Sequence, residues 1–191
     1  MVCFAPNTKL ALRARRGFTL IEMLIVIALM GLAGALVIPS MSSVGALRVH
    51  GALRTIVSDI TLAQADAIAF QERRAVVFDV PNNSYRLLAV SGSAIDEATQ
   101  TMFDPTKQNG RYIVSLSTPS FGGSRVTGVR MNGTDTNTTL MFDDMGTPII
   151  SAAGDQASSG GVISVAGMDS AWDIIVEPFT GRVSVRRTAG N

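Results

Sequence analysis

The sequence predicts an α+β protein: one long N-terminal helix followed by a head built of strands. Three observations carry this. An unbroken apolar run fills Phe18–Ile38. Apolar residues then recur at three- and four-residue steps as far as about Glu72. From Arg73 onward the apolar residues come in short runs of β-formers separated by Gly, Pro, Asn and Asp.

The first element is a leader, residues 1–17. It holds Lys9, Arg13, Arg15 and Arg16 and no acid. The rest of the chain carries 12 Lys and Arg against 15 Asp and Glu, within a whole-chain net charge of +1. A basic leader ahead of an apolar span predicts that the leader stays cytoplasmic and the C-terminal bulk is exported.

Residues 18–38 form the second element. In this 21-residue run only Thr19 and Glu22 are plainly polar. As a helix it would span about 30 Å, enough for a bilayer core. Glu22 is the odd member, because an acid in lipid costs on the order of 2.5–3.5 kcal/mol and is read as functional. The run exceeds the apolar part of an ordinary secretory signal, which would also have no reason to keep Glu22.

Residues 39–72 continue the helix with an amphipathic pattern. Pro39 follows the apolar run and predicts a kink there, with Gly31 and Gly34 as weak spots nearby. Leu53, Ile56, Val57, Ile60, Ala63, Ala67 and Ile68 fall on one face. Arg54, Ser58, Asp59, Thr61 and Asp66 lie elsewhere around it.

Residues 73–191 are the head. Ala75–Val80 and Tyr85–Val90 read as a hairpin around Pro81-Asn82-Asn83-Ser84. Ser91–Gly110 reads as a long, weakly structured loop. Further strands are expected at Arg111–Ser117, Arg125–Met131, Thr139–Phe142 and Gly161–Ala166. The C-terminal hairpin is the clearest. Closing Glu177 against Arg182 sets Val176 opposite Val183 and Ile174 opposite Val185, with Asp173 and Arg186 paired on the other side.

Catalytic constellations are not found in the sequence. His50 is the only histidine and Cys3 the only cysteine, too few for a zinc site of the usual kind. No Gly-x-Ser-x-Gly elbow, Gly-x-Gly-x-x-Gly or Walker sequence occurs. Asp143 and Asp144 lack the spacing of an EF-hand loop and read as a solvated turn. The chain is expected to be a substrate of processing enzymes, not an enzyme, and to need no cofactor or metal. With Cys3 in the leader, the exported head must rely on core packing, not on disulfides.

Arg15-Arg16-Gly17-Phe18-Thr19-Leu20-Ile21-Glu22, followed by the apolar run, resembles the class III signal of type IV pilins and type II secretion pseudopilins. The resemblance implies that a prepilin peptidase cuts between Gly17 and Phe18 and that Phe18 becomes the N-methylated terminus. It implies that Glu22 pairs with a neighbouring subunit's terminal ammonium during assembly. The strand-rich head and the closing strand, Thr180-Gly181-Arg182 turn and last strand resemble the GspH/FimT branch in particular. That branch implies a pilin-like head of two small antiparallel sheets. The leader is longer than is usual in the family, and the disulfide loop of many major pilins is missing.

The implied function is that of a minor pseudopilin, at or near the tip of a type II secretion pseudopilus, supporting protein secretion across the outer membrane. Its partners would be the prepilin peptidase, other pseudopilins and the bacterial inner membrane, with the head in the periplasm. The alternative is a minor type IV pilin acting in pilus biogenesis or DNA uptake. Some members of the branch bind DNA through a basic C-terminal motif. Arg182, Arg186 and Arg187 are the corresponding cations here, at looser spacing and with acids opposite two of them.

Overall fold

This computed structural model describes residues 17–167 and 170–188, apart from the side chains of 35–47 and of residue 108. The expected leader, with Cys3, Lys9, Arg13, Arg15 and Arg16, lies outside the described residues. The chain divides at Met41 and Ser42 into two units.

Helix α1 is assigned from Leu20 to Phe70, Pro39 included. In the first unit no described side chain of the helix finds cover. Met23, Leu24, Ile25, Val26 and Ile27 are all largely exposed. Five consecutive residues at 100° each go right round a helix, so the apolar surface has no single face. Among the described residues no helix is long and apolar enough to cross a membrane. The expected span, Phe18–Ile38, runs past Gly34 into side chains outside that set.

The second unit has its own core. Strands β1 (Arg73–Asp79), β2 (Ser84–Val90), β3 (Ile113–Ser115), β5 (Thr139–Phe142) and β6 (Pro148–Ile149) form one antiparallel sheet in the order β3-β2-β1-β5-β6. Strands β4 (Arg125–Met131), β7 (Gly161–Ala166), β8 (Ala171–Val176) and β9 (Val183–Thr188) form a second, in the order β4-β7-β8-β9. The α+β class with two small antiparallel sheets is therefore what the sequence folds into.

Both sheets pack on the same helix stripe. Val49, Ala52, Leu53, Ile56, Ile60, Ala63 and Ala67 join Val76, Tyr85, Leu87 and Phe142 from one sheet and Val129, Ile163, Ile174 and Val176 from the other. Each large aliphatic side chain so buried contributes about 1.5–3 kcal/mol. The expected helix face is right at its centre. Val57 is only half-buried, and Ile68 is exposed.

Strand β1 departs from simple alternation. Arg74 to Phe78 are all buried, because β1 is the middle strand and both its faces are covered. Its back face packs Ala75 and Val77 against Leu88, Val90, Met141, Ile149 and Ala152. The region 91–110, expected to be a loose loop, is more ordered. It bridges back through Leu88–Thr101 and Phe103–Arg111 and closes in a 3-10 turn at Gln108–Gly110. Its order comes from polar bonds. The Gln100 side-chain amide donates to Ser91 O at 3.0 Å, and the Arg111 guanidinium donates to Glu97 O and Ala98 O at 2.7 Å each. Apolar periodicity carries no trace of such bonds. The strand expected over Arg111–Ser117 shortens to Ile113–Ser115, and β6 was not foreseen.

The helix ends where Gln71 turns left-handed, with φ of 52°. The Glu72 N–H then bonds back to Ala67 O at 3.2 Å, the six-to-one bond of a Schellman ending. Arg74, 5% exposed, fixes this end to the sheet by ion pairs to Asp66 and, at 3.0 Å, to Glu72.

Candidate functional site

Gly17 and Phe18 are non-helical and stand directly before α1. Among the described residues nothing lies within 4 Å of where a Cβ on Gly17 would point, and Phe18 is 78% exposed. The peptide bond between them is thus outside the helix.

Thr19 begins the helix. Its Oγ1 accepts the Glu22 N–H at 3.3 Å, and its carbonyl accepts the Met23 N–H at 3.2 Å. Thr-x-x-Glu ahead of an apolar run is the capping-box pattern, a signal in the sequence that the reading of Glu22 as an assembly residue passed over. The exposed Glu22 carboxylate sits in the first helical turn, where the free N–H groups favour negative charge. Glu22 therefore has a local role within its own helix. It also presents an anion at an apolar surface, where a cation from outside could pair with it.

The C-terminal hairpin has the expected register. Ile174 faces Val185, Val176 faces Val183 and Asp173 faces Arg186. The Glu177 N–H donates to Arg182 O at 2.9 Å. The three arginines do not share one surface. Arg182 directly precedes β9, and Arg186 approaches Asp173 at 3.7 Å on one face of that strand. Arg187 lies on the other face, with its guanidinium 5.9 Å from the Trp172 ring. Trp172 in turn meets His50 edge-on at 5.0 Å. His50 is exposed on the helix and packs on an aromatic ring.

Asp143 is a turn residue: its carboxylate accepts the N–H groups of Met145 at 3.0 Å and Thr147 at 2.7 Å. Among the described residues no group of three or more His, Cys, Asp or Glu could hold a metal ion.

Three features were missed from sequence. Asp59, expected on the polar side, is buried beneath two tyrosines: Tyr85 donates to it at 2.5 Å and Tyr112 at 2.9 Å. Gln64 donates its amide to Gly146 O and to Thr180 O, both at 2.8 Å. This ties two turns far apart in sequence to the helix. Finally, Met145 and Phe179, in those same turns, are 79% and 69% exposed. An aromatic inside a Pro-Phe-Thr-Gly turn was the available signal for the last.

Residues 12–38 match the prokaryotic N-terminal methylation motif. None of the curated proteins matches the chain. Among solved structures, the chain is similar to the minor pseudopilin EpsH from the type 2 secretion system of Vibrio cholerae. The identity is 11%, the TM-score 0.46, and the alignment covers 74% of this chain and 97% of that one. The chain thus carries an N-terminal methylation motif ahead of an α+β head.

Proposed function

We propose that this chain is a membrane-held subunit of a pilin-like filament, and specifically a minor pseudopilin of a type II secretion system. The observation that carries this reading is the methylation motif over residues 12–38, running into a helix whose apolar residues are exposed all the way round. A surface of that kind needs lipid or other subunits to cover it. Before assembly, residues 18–38 span the inner membrane with the leader in the cytoplasm and the head in the periplasm. Prepilin peptidase cuts after Gly17 and the new Phe18 terminus is methylated. In the filament, Glu22 pairs with the terminal ammonium of a neighbour, so that two charges costly in lipid satisfy each other. Pro39 supplies a weak point that lets the helix bend as it leaves the bilayer.

The test separates the two roles of Glu22. Glu22→Ala should leave processing intact and abolish co-purification with the other filament subunits. Thr19→Ala removes the cap and keeps the charge, and should incorporate. Equal failure of the two variants, or normal incorporation of Glu22→Ala, would reject the pairing.

The second reading is a minor type IV pilin that touches DNA. It draws on the exposure of Arg182, Arg186 and Arg187. The division of Arg186 and Arg187 between the two faces of β9, and the Asp173 partner of Arg186, weaken it, since tracking a phosphate chain takes several unpaired cations together. Binding of duplex DNA that falls steeply with salt, and is lost when the three arginines are replaced, would favour it.

A further inference from the structure

Strands β3, β6, β4 and β9 stand at the edges of the two sheets, and three of them are blunted. β3 has three residues, β6 has two, and β4 carries a bulge between Val126 and Gly128. Short edges and bulges guard a sheet against pairing with another chain. β9 has neither guard. It runs for six residues in unbroken register with β8, and among the described residues no strand pairs with its other side.

One bond fixes the direction of its free groups. The Glu177 N–H donates to Arg182 O at 2.9 Å, so these two residues are a hydrogen-bonded pair at the start of the β8–β9 ladder. In an antiparallel ladder such pairs alternate with non-bonded ones. Ser184 and Arg186 therefore turn their N–H and C=O groups to β8, opposite Ile175 and Asp173. Val183, Val185 and Arg187 turn theirs to the open edge.

The side chains agree with this. Val183 and Val185 stand on the helix-facing side, opposite the buried Val176 and Ile174. Val183 packs on the core, yet Val185 is 43% exposed, because the sheet stops at β9. Between β9 and the helix lies an open groove of about 390 Å³, with Leu53, Val57 and Val185 in its lining. Neighbouring strands lie about 4.8 Å apart, so one more strand would run along β9 and lay its helix-facing side chains over Val57 and Val185.

β9 also selects which strand fits. It contains Arg186 and Arg187 and no acid, and both arginines are exposed. The Arg186 guanidinium is 3.7 Å from Asp173, and Arg187 rests on the Trp172 ring at 5.9 Å. As neighbours in a strand they project to opposite faces. Opposite charges across a strand pair attract and like charges repel. A basic strand is refused, and the β9 of a second copy would bring two more arginines to the same edge.

We infer that β9 is a docking edge for an extended acidic segment of another protein, added as a further strand beside β9 in the β4-β7-β8-β9 sheet. Main-chain bonds to Val183, Val185 and Arg187 hold the segment. Apolar side chains on alternate residues cover the groove, and two adjacent acids meet Arg186 and Arg187. The site lies wholly in the head, goes beyond the filament reading and does not depend on it.

The probe is a dye-labelled synthetic peptide, Thr-Glu-Glu-Val-Thr-Val-Thr. Paired antiparallel, it sets its acids against Arg187 and Arg186 and its valines against Val185 and Val183. Binding to the purified full-length chain in detergent micelles is read by fluorescence anisotropy, with empty micelles subtracted. Saturable binding that slows amide exchange across residues 183–188 is the expected result. One comparison peptide replaces both acids by lysine. Another is N-methylated at both valines, which removes the donors to Val185 O and Val183 O. Each should bind about tenfold more weakly or worse. Val185→Pro removes an N–H that points to the open edge and none that bonds β8. It should weaken binding of the acidic peptide by a similar factor and leave the thermal midpoint of the head nearly unchanged; if the variant unfolds, the methylated peptide decides the same point. No saturable binding of the acidic peptide, equal affinity for either comparison peptide, or unchanged exchange at 183–188 would overturn the docking edge. So would a dimer of the chain alone that Val185→Pro splits, since a second copy would then hold the edge.

Discussion

The hydroxyl of Tyr85 donates a 2.5 Å hydrogen bond to the carboxylate of Asp59, a helix residue only 7% exposed. Tyr112 adds a second donor at 2.9 Å. Removing one donor leaves a buried anion under-bonded, which costs about 1.5–3 kcal/mol when the lost bond is to a charged group. Tyr85→Phe should lower the stability of the head by that amount, read from the midpoint of urea unfolding. A change below about 0.5 kcal/mol would mean that water replaces the hydroxyl.

The same pair sets an alkaline limit. Burial, then the charge of Asp59, pushes the Tyr85 hydroxyl well above its ordinary value of 10.0, and burial together with the Asp59 hydrogen bond raises Tyr112 too. Above about pH 10 the unfolded chain releases these protons while the folded chain holds them. The unfolded state then binds fewer protons, so stability falls as pH rises. Thermal midpoints should be insensitive to these groups below about pH 10 and decline above it. The decline should be shallower in Tyr85→Phe.

Arg74 is buried between Asp66 and Glu72. Arg74→Met keeps most of the side-chain bulk but strands Asp66, whose side chain is 15% exposed. Breaking a buried pair from one side costs about 3–5 kcal/mol, and calorimetry of the variant should show a loss of that size. Asp66→Asn should cost less, because the guanidinium keeps Glu72 and the Arg73 carbonyl.

Gly181 has φ of +64°, and a Cβ there would lie 2.7 Å from Gln64 Nε2 and 2.9 Å from Phe142. Gly181→Ala therefore meets both an unfavourable backbone and a filled space, and should destabilise the head by about 2–4 kcal/mol. Gln71→Gly should act the other way. It relieves the left-handed φ of 52° at the helix end, a conformation costing L-residues about 1–2 kcal/mol, part of which is offset by the entropy of the new glycine. A rise in the thermal midpoint is expected.

Gly17→Trp should block cleavage. Intact-mass measurement on membranes from cells expressing it should find the chain with its leader and without a methyl group, and should find the unaltered chain shortened by residues 1–17 and carrying one.

Periodicity made the helix face and most strands legible. Ile56, Ile60 and Ala63 repeat at helical spacing, and Ile174, Val176, Val183 and Val185 define one hairpin register. What stayed hidden was polar. Asp59 looked like a surface residue because its partners, Tyr85 and Tyr112, come 26 and 53 positions later. Order in the 91–110 region depends on Gln100 and Arg111 bonding to backbone, which no apolar pattern records. The doubly buried β1 mimics an ordinary run of β-formers, and only its central place in the sheet says why it does not alternate. At the N-terminus the motif around Gly17, Phe18 and Glu22 was plain, while the capping of the Glu22 N–H by Thr19 emerged from the geometry.

Gln64 also fixes a timetable. Its two acceptors lie 82 and 116 positions further along the chain, and Ile174 and Val176 complete the core against the helix. A chain that is made from its N-terminus keeps the part of the helix stripe that the second sheet covers exposed until almost its last residues have arrived. Strand β8 therefore acts as a latch. Truncation before β8 should leave a sticky, half-built head and not a slightly shorter one. Quality control that inspects exposed apolar helix has the whole period of synthesis in which to act.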